Sequence, residues 1–523
     1  MITPICRYTP NTSHLRLAVS FILSCFFLLI SWLLLVPSDL YAQELFQVTG
    51  AVHVHTDMST GDDSLEELIR LAKGYGIDVI VLTDNHLLKF EYGLLPFRYL
   101  LRKTVEMPSV LQTGPERYLS AIEQARKRHP DMIIIPGVEA LPHYYWTGSL
   151  FQKNLTMHNG QKNILAVGLE RPTDYFELPV TGNHRAVFPN RWRRVVYLLP
   201  GLLLIPGIWL FRLKRKRTDK GRHFSVTQTR SYKWQGSALI LLGLLFLMNN
   251  SSYLQTPYTP YQTDLGILPY QHLIDYVNQQ GGLTFWSLPE AKDYHVIDYG
   301  HLGKITVLTD PYPEDLILSR DYDGFGAIYP DNITLTDPGA GWDKILNEYL
   351  MGFRSRPPWG FGEIAYHGKG LDKRLIDVET VFLVPHKTKE AVLSAMRQGR
   401  MYSLQRTEEY GLVLEDFSVF EEMTQKEVFS GDELKTTEKG PVEIRIAIST
   451  TDGISRPIRV LLIRSGEVLK TFEGVTPLKE LFRDDSFPDR VYYRLDIGEG
   501  SHRILTNPIF VRALKSENEK PVS

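Results

Sequence analysis

Residues 46–86, "FQVTGAVHVHTDMSTGDDSLEELIRLAKGYGIDVIVLTDNH", carry the pattern that decides the fold. An apolar run of strand length ends in His53 and His55, and a second apolar run, "IDVIVL", follows about twenty residues later. Between the two runs, Ser64 and Glu67 form a capping box, after which apolar residues recur at helical spacing. The stretch therefore predicts a strand, an amphipathic helix and a second strand, which together make a βαβ unit.

The βαβ pattern recurs along the chain. "PERYLSAIEQARKRH" reads as a helix and is followed by the buried strand "DMIIIPGVE". Much later, "YQHLIDYVNQQGG" leads into "LTFWSLPE" in the same way. Repeated units of this kind predict a parallel barrel or a doubly wound sheet, whose sites lie at the carboxyl ends of the strands.

Polar side chains gather at those strand ends. His53 and His55 end the first strand, Asp84 and His86 the second, and Glu139 the third. Because strand side chains alternate with a period of two residues, both histidines are expected on one side of the sheet. Burying carboxylates and imidazoles together costs several kcal/mol unless a cation binds them. The pattern therefore predicts a metal site.

Cysteine usage and net charge narrow the chemistry. Cys6 and Cys25 are the two cysteines of the chain, and both lie at its amino-terminal end. No thiolate site or disulfide is therefore expected after residue 25, and any metal there must be held by His, Asp, Glu or Asn. The net charge of -2 gives no global attraction to nucleic acid, so no nucleic-acid partner is expected.

The first of three apolar runs extends from Leu17 to Val36, after a short basic start. It is longer than the core of a signal peptide, which favours an uncleaved signal anchor. Cleavage after Ala42 is the alternative.

Two further apolar runs, Val195–Phe211 and Ser237–Met248, predict a transmembrane hairpin. The loop between them, "RLKRKRTDKGRHFSVTQTRSYK", is dense in Lys and Arg and is expected to stay in the cytoplasm. The other soluble segments would then lie on the extracytoplasmic (periplasmic) side. Buried core helices are the alternative, which is disfavoured because a core helix is rarely followed at once by "RLKRKR".

After about residue 405, short alternating strands replace the helical stripes, as in "VEIRIAIS" and "RVYYRLDI". A small all-β, sandwich-like domain without a cluster of ligands is expected there. The predicted segments are an N-terminal signal anchor, the first part of a barrel, a transmembrane hairpin, the second part of the barrel and the β domain: residues 1–43, 44–190, 191–254, 255–404 and 405–523.

The run from "HVHTDMSTGDD" through "IVLTD" to "IIPGVE" resembles the polymerase and histidinol phosphatase (PHP) family of metal-dependent phosphoesterases. The resemblance covers roughly residues 46–168 and, more weakly, 281–400. It implies a distorted (β/α)7 barrel that binds up to three Zn, Mn or Fe ions and hydrolyses phosphate esters. The expected fold is thus an α/β, PHP-type distorted (β/α)7 barrel interrupted by a transmembrane hairpin and followed by a small all-β C-terminal domain.

The resemblance assigns candidate metal ligands by position. Four stand at family motif positions and two are the nearest substitutes for missing ligands: His53, His55, Glu139 and His367, then Asp62 and His158. Asp84 and His86 are the candidate catalytic residues, which could orient or deprotonate water.

The chain lacks a ligand side chain at five family positions, namely Thr60, Asn85, Asn163, Leu288 and Ala365. The missing ligands are those expected for the second and third ions. Two histidines and one carboxylate can hold a divalent transition metal by themselves. One divalent ion (Mn, Zn or Fe), and at most two, is therefore expected.

The favoured function is a membrane-anchored, extracytoplasmic PHP-type hydrolase that cleaves a small phosphate ester or phosphodiester. The alternative is a catalytically weak or inactive PHP-like domain that binds a phosphorylated ligand and acts as a sensor. The expected partners are the membrane and a small phosphorylated molecule. A divalent metal separates these functions from a purely structural barrel, which needs none.

Overall fold

The computed structural model describes residues 45–186, 192–220, 224–251, 256–298, 300, 303–331, 333–368, 373–436 and 440–513. The expected signal anchor at residues 1–43, with Cys6 and Cys25, lies outside the described residues. The elements named here all belong to one unit, Phe46–Ser523.

The α-helices are α1 Leu65–Tyr75, α2 Val110–Thr113, α3 Pro115–Arg128, α4 Pro172–Phe176, α5 Leu204–Arg212, α6 Lys233–Asn250, α7 Leu268–Gln279, α8 Pro313–Leu318, α9 Gly341–Leu350 and α10 Lys389–Gln398. Two 3-10 helices, Leu150–Gln152 and Trp192–Leu203, complete the helical elements of the described residues.

The strands are β1 Phe46–Val54, β2 Val79–Leu82, β3 Asp84–Asn85, β4 Leu88–Gly93, β5 Arg102–Met107, β6 Ile133–Ile135, β7 Gly137–Ala140, β8 Tyr145–Thr147, β9 Leu155–His158, β10 Ile164–Val167, β11 Lys214–Lys220, β12 Ser225–Ser231, β13 Leu283–Trp286, β14 Asp293–Asp298, β15 Lys304–Thr309, β16 Gly324–Ile328, β17 Trp359–Gly362, β18 Val378–Val384, β19 Met401–Gln405, β20 Leu412–Glu421, β21 Lys426–Phe429, β22 Glu433–Thr436, β23 Val442–Thr450, β24 Pro457–Arg464, β25 Glu467–Val475, β26 Leu478–Asp484, β27 Arg490–Glu499, β28 His502–Thr506 and β29 Ile509–Ala513. The described chain is thus a mixed α/β structure.

The βαβ unit predicted from residues 46–86 is confirmed, with β1 and β2 parallel and α1 between them. Ser64 caps α1 through the predicted box with Glu67. The helix ends at Gly76, whose φ of 75° is the left-handed cap that glycine adopts without a Cβ clash. The apolar stripe of α1 is buried against the sheet, which holds the carboxyl ends of β1 and β2 in place.

Strands from both sides of the apolar hairpin region pair directly. β10 pairs antiparallel with β13, and β1 pairs antiparallel with β18. One six-stranded sheet has the order β17-β16-β13-β10-β7-β3. A single apolar core includes side chains that precede and follow the hairpin, such as Val52, Leu165, Phe285 and Phe361. The parts of the chain on either side of the hairpin therefore share their sheets and their core.

The C-terminal region is rich in strands, as expected. Its second apolar core lies between the strands of β20–β29. The region is also continuous with the first sheet, because β28 pairs with β19, which in turn pairs with β18. A buried ion pair between Arg494 and Asp343, 2.6 Å apart, adds a contact to α9. The C-terminal strands thus pack on the rest of the unit and extend its larger sheet.

Among the described residues, one stretch, Val195–Arg212, is apolar and long enough to cross a membrane. Its mean hydropathy is 1.8, and 6% of it is buried. It packs against α6 at glycines, since a Cβ on Gly236 would lie 2.7 Å from the Gly207 carbonyl oxygen. The basic loop between them forms a hairpin of β11 and β12.

Candidate metal centre

Strand β1 contains a bulge at His53. Val52 pairs with Val81 and Val54 pairs with Leu82, so His53 is one residue in excess on its strand. Its φ of 72° is in the left-handed region, which a residue with a Cβ rarely adopts. Such bulges re-aim a side chain near functional sites. The two imidazoles lie side by side as expected, although the strand that carries His53 is not regular.

The imidazoles and one carboxylate form a compact, buried group. His53 Nε2 lies 3.0 Å from His55 Nε2 and 3.4 Å from Glu139 Oε1. His55 Nε2 lies 3.7 Å from Glu139 Oε2. One ligand atom from each residue fits within 4.8 Å of the others, which is a separation that a single divalent ion can bridge. His53, His55 and Glu139 are therefore a group that can hold a divalent metal.

Glu363 determines which nitrogen of His53 faces this group. The Glu363 carboxylate accepts a 2.6 Å hydrogen bond from His53 Nδ1 and another from the Ser287 hydroxyl. Its second oxygen accepts the backbone N–H of Leu288 at 3.0 Å. A proton held on Nδ1 leaves the Nε2 lone pair directed at Glu139 and His55. A carboxylate behind a ligating histidine is a common second-shell arrangement in metal sites.

The donor set fits a cation on electrostatic grounds. With Nδ1 protonated, His53 Nε2 and the Glu139 oxygens are all hydrogen-bond acceptors, and they face each other at 3.4 Å. Acceptors at that separation in a buried site repel unless a proton or a metal ion lies between them. A divalent cation and a proton on His53 thus compete for the same place.

The pKa values of the group reflect this competition. Burial lowers the pKa of His53, but Glu139 and Glu363 outweigh it and raise that pKa overall. Burial and the neighbouring His53 and His367 hold the pKa of His55 well below its usual range. Burial raises the pKa of Glu139 against the opposing effect of His53. Burial and neighbouring charges thus favour the neutral form of His55 and the protonated form of His53.

Two asparagines orient Glu139. Asn85 Nδ2 donates to Oε2 at 2.6 Å, and Asn163 Nδ2 donates to Oε1 at 2.7 Å. Both stand at positions where the resembled family has a metal ligand. In this chain they act on the remaining carboxylate instead, since an amide N–H donates where a ligand would accept.

The two candidate catalytic residues lie beneath the cavity floor. Asp84 is buried and accepts hydrogen bonds from the Thr56 backbone N–H at 2.8 Å and the Ser59 hydroxyl at 2.6 Å. Burial raises the pKa of Asp84 to about 6 despite those bonds. His86 is also buried, donates from Nε2 to the Tyr175 carbonyl, and has its pKa lowered to about 4 by burial. Neither side chain lines the cavity above the group. Their catalytic role stays a prediction, and the contacts are those of positioning residues.

The remaining candidate ligands lie at different distances from the group. His367 stacks on His55 with ring centroids 4.0 Å apart and lines the cavity, and its pKa is lowered to about 4, mainly by burial. Asp62 is exposed at the same cavity and donates its backbone N–H to the His367 carbonyl. His158 instead stacks on Tyr145 and bonds Thr147, outside the cavity. The structure thus brings His367 and Asp62 to the site and leaves His158 apart.

A cavity of about 1060 Å³ opens above the group. Its floor includes His53, Glu139 and His367, together with Leu288 and Ala365. Leu288 and Ala365 have φ values of 44° and 48°, so like His53 they hold a left-handed backbone that costs about 1–3 kcal/mol. Both positions are where the resembled family has further ligands. The backbone of those ligand positions is strained here although neither side chain can bind metal.

Sequence reasoning missed Glu363 and Ser287. Glu363 directly follows the buried strand β17 and precedes His367 by four residues. The strand-end position that identified Glu139 as a candidate could therefore have identified Glu363 as well. Gly326 is a second signal, because a Cβ there would lie 1.9 Å from Glu363 Oε2. Glycine at that position makes room for the carboxylate.

No family model matches the sequence, and no curated protein matches it. A two-domain protein from Bacteroides vulgatus that contains a predicted PHP-like metal-dependent phosphoesterase is similar in structure, with 11% identity and a TM-score of 0.34. The match covers 86% of this chain and 90% of that one. A protein from Bifidobacterium adolescentis, also assigned by prediction as a metal-dependent phosphoesterase, matches at 14% identity and a TM-score of 0.24, over 64% of this chain and 91% of that one. Likeness at these scores carries no argument about the activity of this chain.

Proposed function

We propose that the protein is a membrane-anchored, metal-dependent phosphoesterase of the PHP type that acts on the extracytoplasmic side of a membrane. The ion would be held by His53, His55 and Glu139. The observation that carries the proposal is the convergence of these three buried ligands on one point, with Glu363 behind them and an open cavity above.

The residues of the chain suit hydrolysis of a phosphate ester. A divalent ion at this point would supply Lewis acidity toward a phosphoryl oxygen and would acidify water. Glu363 keeps the proton of His53 on Nδ1, and Asn85 and Asn163 fix Glu139. His367 lines the cavity and is neutral at pH 7, so its imidazole can accept a proton from water or donate a hydrogen bond to substrate.

A PHP-type barrel is the fold that we propose for the strands around the site. Three backbone hydrogen bonds support it by joining the two sheets. The Thr83 N–H donates to the Val54 carbonyl, the Glu139 N–H to the Thr83 carbonyl, and the Tyr366 N–H to the His53 carbonyl. These bonds support a proposed ring that would run from β1 through β2, β7, β10, β13, β16 and β17 back to β1. The site then lies at one mouth of the ring.

The membrane hairpin is supported by the burial pattern of its helices. In α5 and α6 the buried positions are Gly207, Gly236, Gly243 and Asn249, while large apolar side chains such as Ile205 and Leu241 are exposed. A core helix of a soluble protein has the opposite pattern. Small residues at the helix–helix contact and apolar residues facing outward are typical of helices in lipid.

The proposed orientation rests on the basic loop. The β11–β12 hairpin carries Lys and Arg at one end of the helix pair, and Tyr99 contacts Asn249 at the other end. Positive residues stay in the cytoplasm, so the metal site is expected on the opposite side. Reporter fusions after Gly221 should behave as cytoplasmic, and fusions after Gly168 as exported. A cytoplasmic signal from the Gly168 fusion would contradict this orientation.

A ligand-binding or sensory domain is the second candidate function. It is favoured by one observation, namely that Leu288 and Ala365 occupy strained cavity positions without metal-binding side chains. Such a protein would keep one ion and a phosphorylated ligand but turn it over poorly, because a clamp of two metals on the attacking and leaving oxygens would be missing.

Metal content tests the proposed function most directly. The purified full-length protein should contain about one divalent transition ion per chain, measured by elemental analysis after loading with Mn or Zn. His53→Ala should abolish this binding, because it removes one of three ligands. The parent should also hydrolyse a soluble phosphodiester such as bis(p-nitrophenyl) phosphate slowly, and a chelator should stop it.

His158→Ala is the matched control, since it removes a histidine outside the cavity and should leave the metal content unchanged. A parent protein without bound metal, under conditions that load an ordinary metallohydrolase, would rule out the proposed function. A parent that binds metal but hydrolyses no phosphodiester would favour the sensory function.

A further inference from the structure

The cavity above the metal group is far larger than a phosphate group requires. Its volume of about 1060 Å³ reaches the upper end of the range of roughly 300–1,000 Å³ typical of small-molecule sites. The ligating residues occupy the floor alone. The substrate is therefore expected to extend well beyond the reacting phosphate.

Two strand pairs give the cavity apolar walls. On the β4–β5 hairpin, Leu88 pairs with Met107 and Phe90 pairs with Val105, and all four line the cavity. On β14 and β15, Ile297 pairs with Ile305, and both also line the cavity. Cross-strand pairs share one face of a strand pair, so each pair presents an apolar face to the cavity.

These walls are only partly covered. Val105 and Ile297 line the cavity and are still 43% and 39% exposed. Met107, which also lines the cavity, is 37% exposed. A soluble protein rarely leaves large apolar side chains open around one cavity unless that surface meets a membrane or a ligand.

The same hairpin reaches the proposed membrane helices. The loop that joins β4 to β5 contacts α6, where the Tyr99 N–H donates to Asn249 Oδ1 at 2.9 Å and the rings of Phe97 and Phe246 lie 5.0 Å apart. The hairpin is six residue pairs long, or about 20 Å at the usual rise per residue. The wall thus extends from the metal group toward the helix end that faces the site, with Tyr92 and Lys103 as its cross-strand pair nearest the loop.

We infer that the substrate is a phosphorylated membrane lipid whose phosphate binds at His53, His55 and Glu139 and whose hydrocarbon chains lie along the β4–β5 and β14–β15 walls. This inference rests on the proposed function of the metal group. A lipid is favoured over a soluble phosphate ester because the cavity is apolar, partly open, and continuous with the surface that contacts α6. The site would then receive its substrate from the bilayer.

Competition binding tests the inference on the metal-loaded, full-length protein in detergent. The probe is phosphatidic acid with a fluorescent acyl chain, followed by anisotropy. Unlabelled dioleoyl phosphatidic acid should displace the probe at a concentration at least 100-fold lower than glycerol 3-phosphate, which lacks the chains. It should also compete at least tenfold better than dioleoylglycerol, which lacks the phosphate. Equal competition by either molecule would overturn the inference.

Wall variants give an independent test. Val105→Glu combined with Ile297→Glu places charge on the exposed part of the walls and should weaken binding of the lipid probe at least tenfold. The metal content per chain should stay that of the parent, because neither residue contacts the ligands. Leu481→Glu is the matched control on β26, where a 59% exposed leucine lies in the C-terminal region, and its probe affinity should be unchanged.

Metal content, measured on the same samples, separates the two ideas. A parent without metal would overturn the proposed function and this inference with it. A metal-loaded parent that shows no preference for lipid, or whose wall variant binds the lipid probe as well as the parent does, would overturn this inference alone.

Discussion

The two sides of the cavity floor differ in the side chains that they present. One side holds His53, His55 and Glu139 as a buried group with hydrogen-bonded support. The other side holds Leu288 and Ala365, whose φ values of 44° and 48° are as unusual as that of His53 but whose side chains cannot bind metal. Backbone strain of this kind persists only where the surrounding structure imposes it. The comparison shows that the same left-handed backbone occurs on this floor both with and without a metal-binding side chain.

Glu363 connects the two sides. Its Oε1 accepts from His53 and its Oε2 accepts from the Leu288 backbone. The same carboxylate therefore fixes the tautomer of a ligand on one side and holds a strained turn on the other. The strained backbone at Leu288 therefore contributes to the site without a ligand side chain, because its N–H donates to Glu363.

The largest expected effect comes from breaking this connection. Glu363→Gln should weaken metal affinity about 10–100-fold. The neutral amide no longer attracts the Nδ1 proton of His53 by charge, and its NH2 group would face the Leu288 N–H, which is also a donor. Affinity is measured by competition with a chelator of known strength. Unchanged affinity would mean that the two sides of the floor are independent.

Glu290→Gln is the control for that variant. Glu290 also accepts backbone N–H groups, from Thr334 and Leu335, but has no contact with His53 among the described residues. Its substitution should leave metal affinity within about twofold of the parent.

A second prediction compares the pKa of His53, which has two neighbouring carboxylates, with that of His143, which has none as a hydrogen-bond partner. Both imidazoles are 1% exposed. The pKa of His53 is raised by its two carboxylates, whereas burial lowers the pKa of His143 to about 4, with Thr181 and the Thr263 carbonyl as its nearest partners. The folded state therefore keeps His143 neutral where the unfolded chain, with a pKa near 6.5, binds a proton.

The sign follows from proton linkage. The contribution of neutral His143 to the free energy of unfolding is complete above about pH 6.5. It is lost as the pH falls toward about 4, because the unfolded state then binds more protons than the folded state. At pH 5 the free energy of unfolding should be about 2 kcal/mol lower than at pH 7 on this account. His143→Gln should remove that part of the pH dependence in chemical unfolding followed by tryptophan fluorescence. An equally steep dependence in the variant would show that His143 does not carry it.

The smallest expected effect comes from adding metal-binding side chains at Leu288 and Ala365. Leu288→His combined with Ala365→Asp should raise the metal content from about one to about two ions per chain. Both residues line the cavity, and their backbones already have the left-handed conformation of the site. Elemental analysis of the parent and the double variant gives the comparison. Leu288→Met with Ala365→Ser is the control, which changes both positions without adding strong ligands.

The sequence predicted the local order of the site well. Strand periodicity and the capping box at Ser64 located β1, α1 and β2, and strand-end polarity selected His53, His55 and Glu139. These features depend on neighbours within one element, so a single stretch of chain contains the information. The mixed α/β fold and the strand-rich C-terminal region followed from the same kind of pattern.

Hydrogen bonds between distant elements decided the roles of several residues. Asn85 is one of the five positions without a ligand side chain, but its amide donates to Glu139 at 2.6 Å, so its removal should free the carboxylate. His158 is near Asn163 in sequence, yet it lies on β9 of a separate four-stranded sheet, and its side chain does not line the cavity. Sequence proximity does not determine which face of a neighbouring strand a side chain meets.

The sequence by itself determined which residue types stand at the strand ends, and therefore that a His and carboxylate site was to be expected. Only the tertiary structure decided how the site is assembled. Glu363 reaches His53 across 310 positions of the chain, and β1 is irregular at His53, where its pairing with β2 shifts register. Both depend on strand pairing and on close packing around the cavity. These bring together atoms that are far apart in the sequence, so no local sequence pattern can predict their contacts.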